Sequence, residues 1–150
     1  KDFKIITIIS NNNISTKIKT YLGKFNQNVL VRECQSTLQK KNFYDTDVIF
    51  SVGYMKVIEK SIIENFDVIN LHPSILPNYK GLMTQKRMLI NNEKYYGFSI
   101  HKVSPELDDG QTISNKTKKI NTKNELELLK KHKSLEHKFV YKQFVNYLLN

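Results

Sequence analysis

Three uninterrupted runs of apolar and β-branched residues constrain this chain more than any other feature. They are Phe3-Lys4-Ile5-Ile6-Thr7-Ile8-Ile9, Asp47-Val48-Ile49-Phe50-Ser51-Val52-Gly53 and Asp67-Val68-Ile69-Asn70-Leu71. A strand with one wet face alternates apolar and polar residues. These runs do not alternate, so each needs burial on both faces, as in a parallel sheet covered by helices. Between the second and third runs, apolar residues at 57, 58, 62 and 63 predict a helix over 56–64. Two such strands joined through a helix within about 20 residues form a βαβ unit with a parallel pair.

The remaining elements follow the same logic. Ser10-Asn11-Asn12-Asn13 is a turn, and Ser15 or Thr16 can cap a helix to about Leu22. Residues 28–32 suit a short strand. His72 to Thr84 carries Pro73, Pro77 and Gly81 and is expected to be a structured loop. A short helix over 85–90 follows, then a strand over 96–103 with a partner over 111–120. From Glu125 to Leu149 the apolar spacing is that of one long helix. The class is α/β, with a parallel core, a mixed C-terminal part and a long C-terminal helix.

Composition narrows the function classes. In 150 residues, 39% hydrophobic content supplies a real core, and the length suits one domain, 1–150. The lone Cys34 excludes a disulfide framework. No run approaches the roughly 18 apolar residues of a membrane span, and the first residues show no signal-peptide cleavage pattern. No membrane partner is expected, and a cytoplasmic location is. The net charge is +10, but 22 of the 24 basic residues are Lys, beside 16 Asn, 16 Ile and no Ala. That pattern reads mainly as coding bias. Nucleic-acid readers lean on Arg for bidentate contacts, so nucleic acid is not the expected partner.

The chemistry gathers at the third run. Ligands of open α/β sheets lie beyond the carboxyl ends of the strands, where Asn70 and His72 fall. Two apart in an extended chain, they point to one side. Asn70 offers an amide donor and His72 a titratable imidazole; Asp108-Asp109-Gly110 brings carboxylates later. An amide and an imidazolium can stabilise an oxyanion while a carboxylate takes a proton. By spacing alone, a loop histidine bonded to backbone and an acidic turn explain the same residues. No Gly-x-Ser-x-Gly elbow and no Gly-rich nucleotide loop is present. His72, His101, His132 and His137 share no ligand spacing, so no metal is expected.

Asn70-Leu71-His72-Pro73-Ser74-Ile75-Leu76-Pro77-Asn78-Tyr79-Lys80-Gly81 resembles the signature of the folate-dependent formyltransferase family. Leu107-Asp108-Asp109-Gly110 falls 36 residues past the histidine, where that family carries its catalytic Asp. Gly81-Leu82-Met83-Thr84, Gly53-Tyr54-Met55-Lys56-Val57-Ile58 and Leu135-Glu136-His137-Lys138-Phe139, preceded by Lys133, are similar to the branch that formylates glycinamide ribonucleotide. The resemblance is good from about Asp47 onward and thin before it.

The resemblance implies a Rossmann-like formyltransferase domain that transfers the formyl group of 10-formyltetrahydrofolate to a small amine, here the primary amine of glycinamide ribonucleotide in purine biosynthesis. It implies that Asn70 bonds the formyl oxygen, that protonated His72 stabilises the oxyanion against Asp108, and that Asp108 accepts the amine proton through water. Met55, Lys56, Val57 and Ile58, with Pro105, Glu106 and Leu107, are implied in folate binding; Met55, Val57 and Ile58 could equally be core. Lys133 and Glu136, three apart on one helical face, match positions that hold a phosphorylated ribose, although a solvated ion pair has the same spacing. His137 is expected to be structural.

The first half departs from the pattern. The branch has a Gly-x-Gly-Ser-Asn phosphate turn, and here the stretch is Asn11-Asn12-Asn13-Ile14-Ser15. Asn13 and Ser15 remain candidate substrate contacts, since Asn can enter the left-handed region and a helix N-terminus holds anions. The nucleotide-binding half is also shortened. The alternatives are therefore an N-formyltransferase for another amine such as an aminosugar nucleotide, a hydrolase releasing formate, or a catalytically silent basic binding module. The last draws on nine Lys against three acidic residues over 114–142.

Overall fold

A computed structural model describes residues 4–10, 29–34, 38–43 and 45–149. The chain divides into two compact units, residues 1–71 and 72–150.

The first unit is built on parallel pairing. Strands β1 (Lys4–Ile9), β2 (Val29–Cys34), β3 (Val48–Val52) and β4 (Asp67–His72) are joined as β1 with β2, β1 with β3, and β3 with β4, all parallel. Ile6, Thr7, Ile8 and Ile9 are all buried, as are Val48, Ile49 and Phe50. Both faces of these strands are covered, which explains why their sequences do not alternate. A 3₁₀ turn at Lys40–Phe43 buries Phe43, whose ring meets Phe66 edge-on at 5.6 Å.

The helix predicted over 56–64 shrinks to one turn, α1 (Lys60–Ile63). Glu59 is extended, with φ −61° and ψ 144°, and Val57 is 88% exposed. Only Ile62 of α1 enters the core. Lys56, Val57 and Glu59 are exposed and bury little, so helical spacing alone does not fold them. The turn at 11–13 and the helix to Leu22 lie outside the described residues.

In the second unit, α2 (Thr84–Ile90) precedes the antiparallel pair β5 (Tyr95–Lys102) and β6 (Thr112–Lys119). Their register slips between Ile100 and His101. The long helix α3 (Glu125–Leu149) closes the unit. Asn124 caps it, its side-chain oxygen accepting from Glu127 N–H at 3.0 Å. Leu128, His132, Leu135, Val140 and Phe144 form its buried stripe. His132 bridges three elements: Nε2–H donates to the Gly97 carbonyl at 2.5 Å, and Nδ1 accepts from the Gln85 amide at 3.1 Å. Among the described residues, no helix is long and apolar enough to cross a membrane.

Candidate active site

His72 ends β4, and the chain then turns through a loop with an unusual backbone. Tyr79, Gly81 and Met83 all have positive φ, at 57°, 77° and 57°. Such conformations are uncommon outside glycine and persist where surrounding bonds impose them. Here the bonds are visible. Ser99 on β5, fully buried, donates to the Ser74 carbonyl at 2.8 Å and accepts from Leu76 N–H at 3.0 Å. The Ser74 hydroxyl donates to the Asn78 carbonyl at 2.6 Å. The Arg87 guanidinium donates to the Lys80 carbonyl at 2.6 Å and lies 5.5 Å from the centre of the Tyr79 ring.

That loop surrounds a buried His–Asp pair. His72 Nδ1 lies 3.2 Å from Asp108 Oδ2, with side-chain exposures of 6% and 10%. The same Oδ2 accepts from Gly81 N–H at 2.8 Å. On the other side of the ring, Nε2 faces the Tyr79 carbonyl at 2.9 Å. Both ring nitrogens thus meet acceptors, an arrangement satisfied fully only by the doubly protonated imidazolium. Asp108 has φ 49°, a left-handed backbone that turns its carboxylate toward the histidine. The next residue, Gly110 after Asp109, passes so close to β5 that a β-carbon there would lie 1.7 Å from the Lys102 carbonyl. Asp109 pairs with Lys80, which ties the acidic turn to the loop.

A second histidine completes the cluster. His101 is 2% exposed, and its Nε2 stands 3.6 Å from Asp108 Oδ1. Its Nδ1 donates to the Lys102 carbonyl at 2.8 Å, and its ring meets that of His72 edge-on at 6.5 Å. Burial holds the His101 imidazole below the ordinary histidine value, against the opposing pull of Lys102 and Asp108. Sequence reasoning set His101 aside as a poor metal ligand. The signal that places it here, the slipped register beside it, belongs to strand pairing; bulges commonly re-aim side chains at functional sites.

The other candidates are distributed as follows. Asn70 is half-buried on β4, two residues before His72. Met55 is 65% exposed, and Lys56 and Val57 are exposed, so the core reading fails for Met55 and Val57; Ile58 is half-buried. Pro105, Glu106 and Leu107 are exposed, Leu107 at 67%. Lys133 is exposed and Glu136 half-buried on α3. Burial pushes the Glu136 carboxyl up to about 7, against the opposing charge of Lys133. His137 is exposed. Asn13 and Ser15 lie outside the described residues.

A family model described as formyl transferase matches residues 7–144. The phosphoribosylglycinamide formyltransferase of Escherichia coli is 35% identical over 74 residues, covering 48% of this chain and 35% of that protein. The chain thus spans about a third of the length of that curated relative. Among solved structures, phosphoribosylglycinamide formyltransferase from Bacillus halodurans superposes with a TM-score of 0.76 at 17% identity, covering 97% of this chain and 95% of that one. The formyltransferase PseJ from Anoxybacillus kamchatkensis, in complex with a UDP-linked formamido sugar and tetrahydrofolate, gives 0.73 at 24% identity, covering 94% and 77%.

Proposed function

The chain belongs to the formyl transferase family, and from that premise we propose that it moves the formyl group of 10-formyltetrahydrofolate to the primary amine of glycinamide ribonucleotide. The observation that carries this reading is the His72–Asp108 pair, buried and bonded at both ring nitrogens.

In this reading the amine nitrogen attacks the formyl carbon, and the carbonyl oxygen becomes an oxyanion. The Asn70 amide donates to it, and the Nε2–H of His72 turns from the Tyr79 carbonyl, which it faces at 2.9 Å in the resting site, to the oxyanion; Nδ1 is committed to Asp108. Asp108 accepts the proton lost by the amine through a water, while the Gly81 N–H holds its Oδ2 in place. The bond from the formyl carbon to the folate nitrogen then breaks, and that nitrogen takes up a proton. The products are the N-formyl amine and tetrahydrofolate. On the resemblance of their segments we assign Met55, Lys56, Val57 and Ile58 of the first unit, and Pro105, Glu106 and Leu107 of the second, to folate recognition; Met55, Val57 and Leu107 are exposed. Lys133 and Glu136, with Asn13 and Ser15, are assigned to the phosphorylated amine.

A second reading keeps the chemistry and changes the amine to an aminosugar nucleotide. The absence of both glycines from residues 11–13 favours it, as does the likeness to PseJ. The test is a substrate panel with the purified chain, following tetrahydrofolate release. Turnover with glycinamide ribonucleotide above that with UDP-linked aminosugars is expected. Turnover with the sugars alone would overturn the substrate assignment, and turnover with no amine in the panel would overturn the activity.

A further inference from the structure

Apart from the His72–Asp108 cluster, a cleft of about 250 Å³ opens between β6 and α3. Its floor is apolar: Tyr96, Leu135 and Phe139 line it. Four lysines rim it, Lys116 and Lys118 from β6 and Lys131 and Lys138 from α3, and no acidic side chain lines it. The placement follows from two periodicities. Lys116 and Lys118, two apart, share one side of a strand, while 131, 134, 135 and 138 share one helical face.

The charges are unevenly compensated. Lys131 is engaged by Glu127 at 2.6 Å and by Asn121 at 2.6 Å. Lys116, Lys118 and Lys138 have no carboxylate partner among the described residues. Two of them crowd one ring: the ammonium groups of Lys116 and Lys138 stand 4.8 and 5.5 Å from the centre of Phe139. The ring attracts each cation, and an anion entering the cleft gains charge-assisted hydrogen bonds from ammonium groups that have no carboxylate of their own among the described residues. Ser134 adds a hydroxyl donor at the same rim.

We infer that this cleft binds a phosphoryl anion, carried either by a small phosphate ester or by the backbone of a single-stranded nucleic acid. The site is separate from the proposed formyl transfer and does not depend on it. General basicity is the competing explanation, since the chain carries a net charge of +10.

The test uses the full chain with two probes, inorganic pyrophosphate and a single-stranded RNA oligonucleotide, titrated at low salt by calorimetry. Lys116→Gln, Lys118→Gln and Lys138→Gln are combined in one variant. A control combines Lys86→Gln, Lys94→Gln and Lys123→Gln, all exposed and off the cleft, which removes the same charge. The cleft variant is expected to weaken binding by at least about tenfold and to lower the salt slope for RNA by about 2, while the control changes affinity less than about threefold. Pyrophosphate competing for the cleft identifies a small phosphate ester; RNA binding that pyrophosphate does not displace identifies the nucleic-acid source. Equal weakening by both variants, or no binding of either probe by the unmodified chain, would overturn the proposal. Circular dichroism of each variant confirms that the fold is retained.

Discussion

Asp108 holds a left-handed backbone, with φ 49°, and places one carboxylate oxygen on both His72 and the Gly81 N–H. Replacing it tests that geometry with little change of volume. Asp108→Asn keeps an acceptor for Gly81 but removes the anion beside the imidazole. Formyl transfer is expected to fall by about 10²–10⁴, with a thermal midpoint close to that of the unmodified chain. A rate within about threefold of the original would remove Asp108 from proton transfer. Gly110→Ala tests the neighbouring turn. Its β-carbon would lie 1.7 Å from the Lys102 carbonyl, so β5 and the turn must part. We expect a loss of about 1–3 kcal/mol in urea unfolding, accompanied by slower transfer because Asp108 moves with the turn; an unchanged unfolding midpoint would contradict the close approach. Asn70, His72 and Asp108 were singled out in the sequence through the family resemblance of their segments, since spacing alone left a loop histidine and an acidic turn as equal readings. His101 was not, because a lone histidine in a β-run carries no local sign of what it faces.

Among the elements, β5 carries the heaviest structural duty in the second unit. Its Ser99 pins the 72–84 loop through two hydrogen bonds, and its Gly97 carbonyl receives His132 from α3. Ser99→Ala strips partners from the Ser74 carbonyl and the Leu76 N–H. A loss of about 1–3 kcal/mol in chemical unfolding is expected, and kcat is expected to fall more than binding, because the loop aims His72. Wild-type stability with an unaltered rate would show the loop to be held elsewhere. Strands β1, β3 and β4 were legible as continuous runs, β5 by a weak alternation and helix α3 by its long periodicity, within a residue or two at their ends. The helix over 56–64 was misjudged: its apolar residues obey helical spacing, but Met55 and Val57 face outward, and an isolated turn without packing does not persist.

At the scale of the whole molecule, stability responds to pH in two opposing ways. Burial holds His101 and His132 below the ordinary histidine value. Their stabilising contribution is therefore complete above about pH 6.5 and is lost as the pH falls below it. Glu136 runs the other way. Its carboxyl is raised from 4.5 to about 7, so its contribution is present below about pH 4.5 and is lost as the pH rises through 7. Unfolding free energy measured from pH 4.5 to 7.5 is expected to steepen toward acid in Glu136→Gln, which leaves the histidines alone, and to flatten in His132→Gln. A profile that neither variant alters would show both groups to be solvated. The family match likewise belongs to the whole molecule, running over residues 7–144. The sequence by itself determined the α/β class and the parallel core strands, because continuous apolar runs are local properties of the chain; the Asn–His–Asp set it offered only through the resemblance of the segments that carry it. Only the tertiary structure decided that His101 stands beside Asp108, that Tyr79 and Gly81 bond the His72–Asp108 pair through their backbones, and that lysines from β6 and α3 share one cleft. Those are meetings of residues distant in sequence, fixed by strand register and helix docking, and no local pattern encodes them.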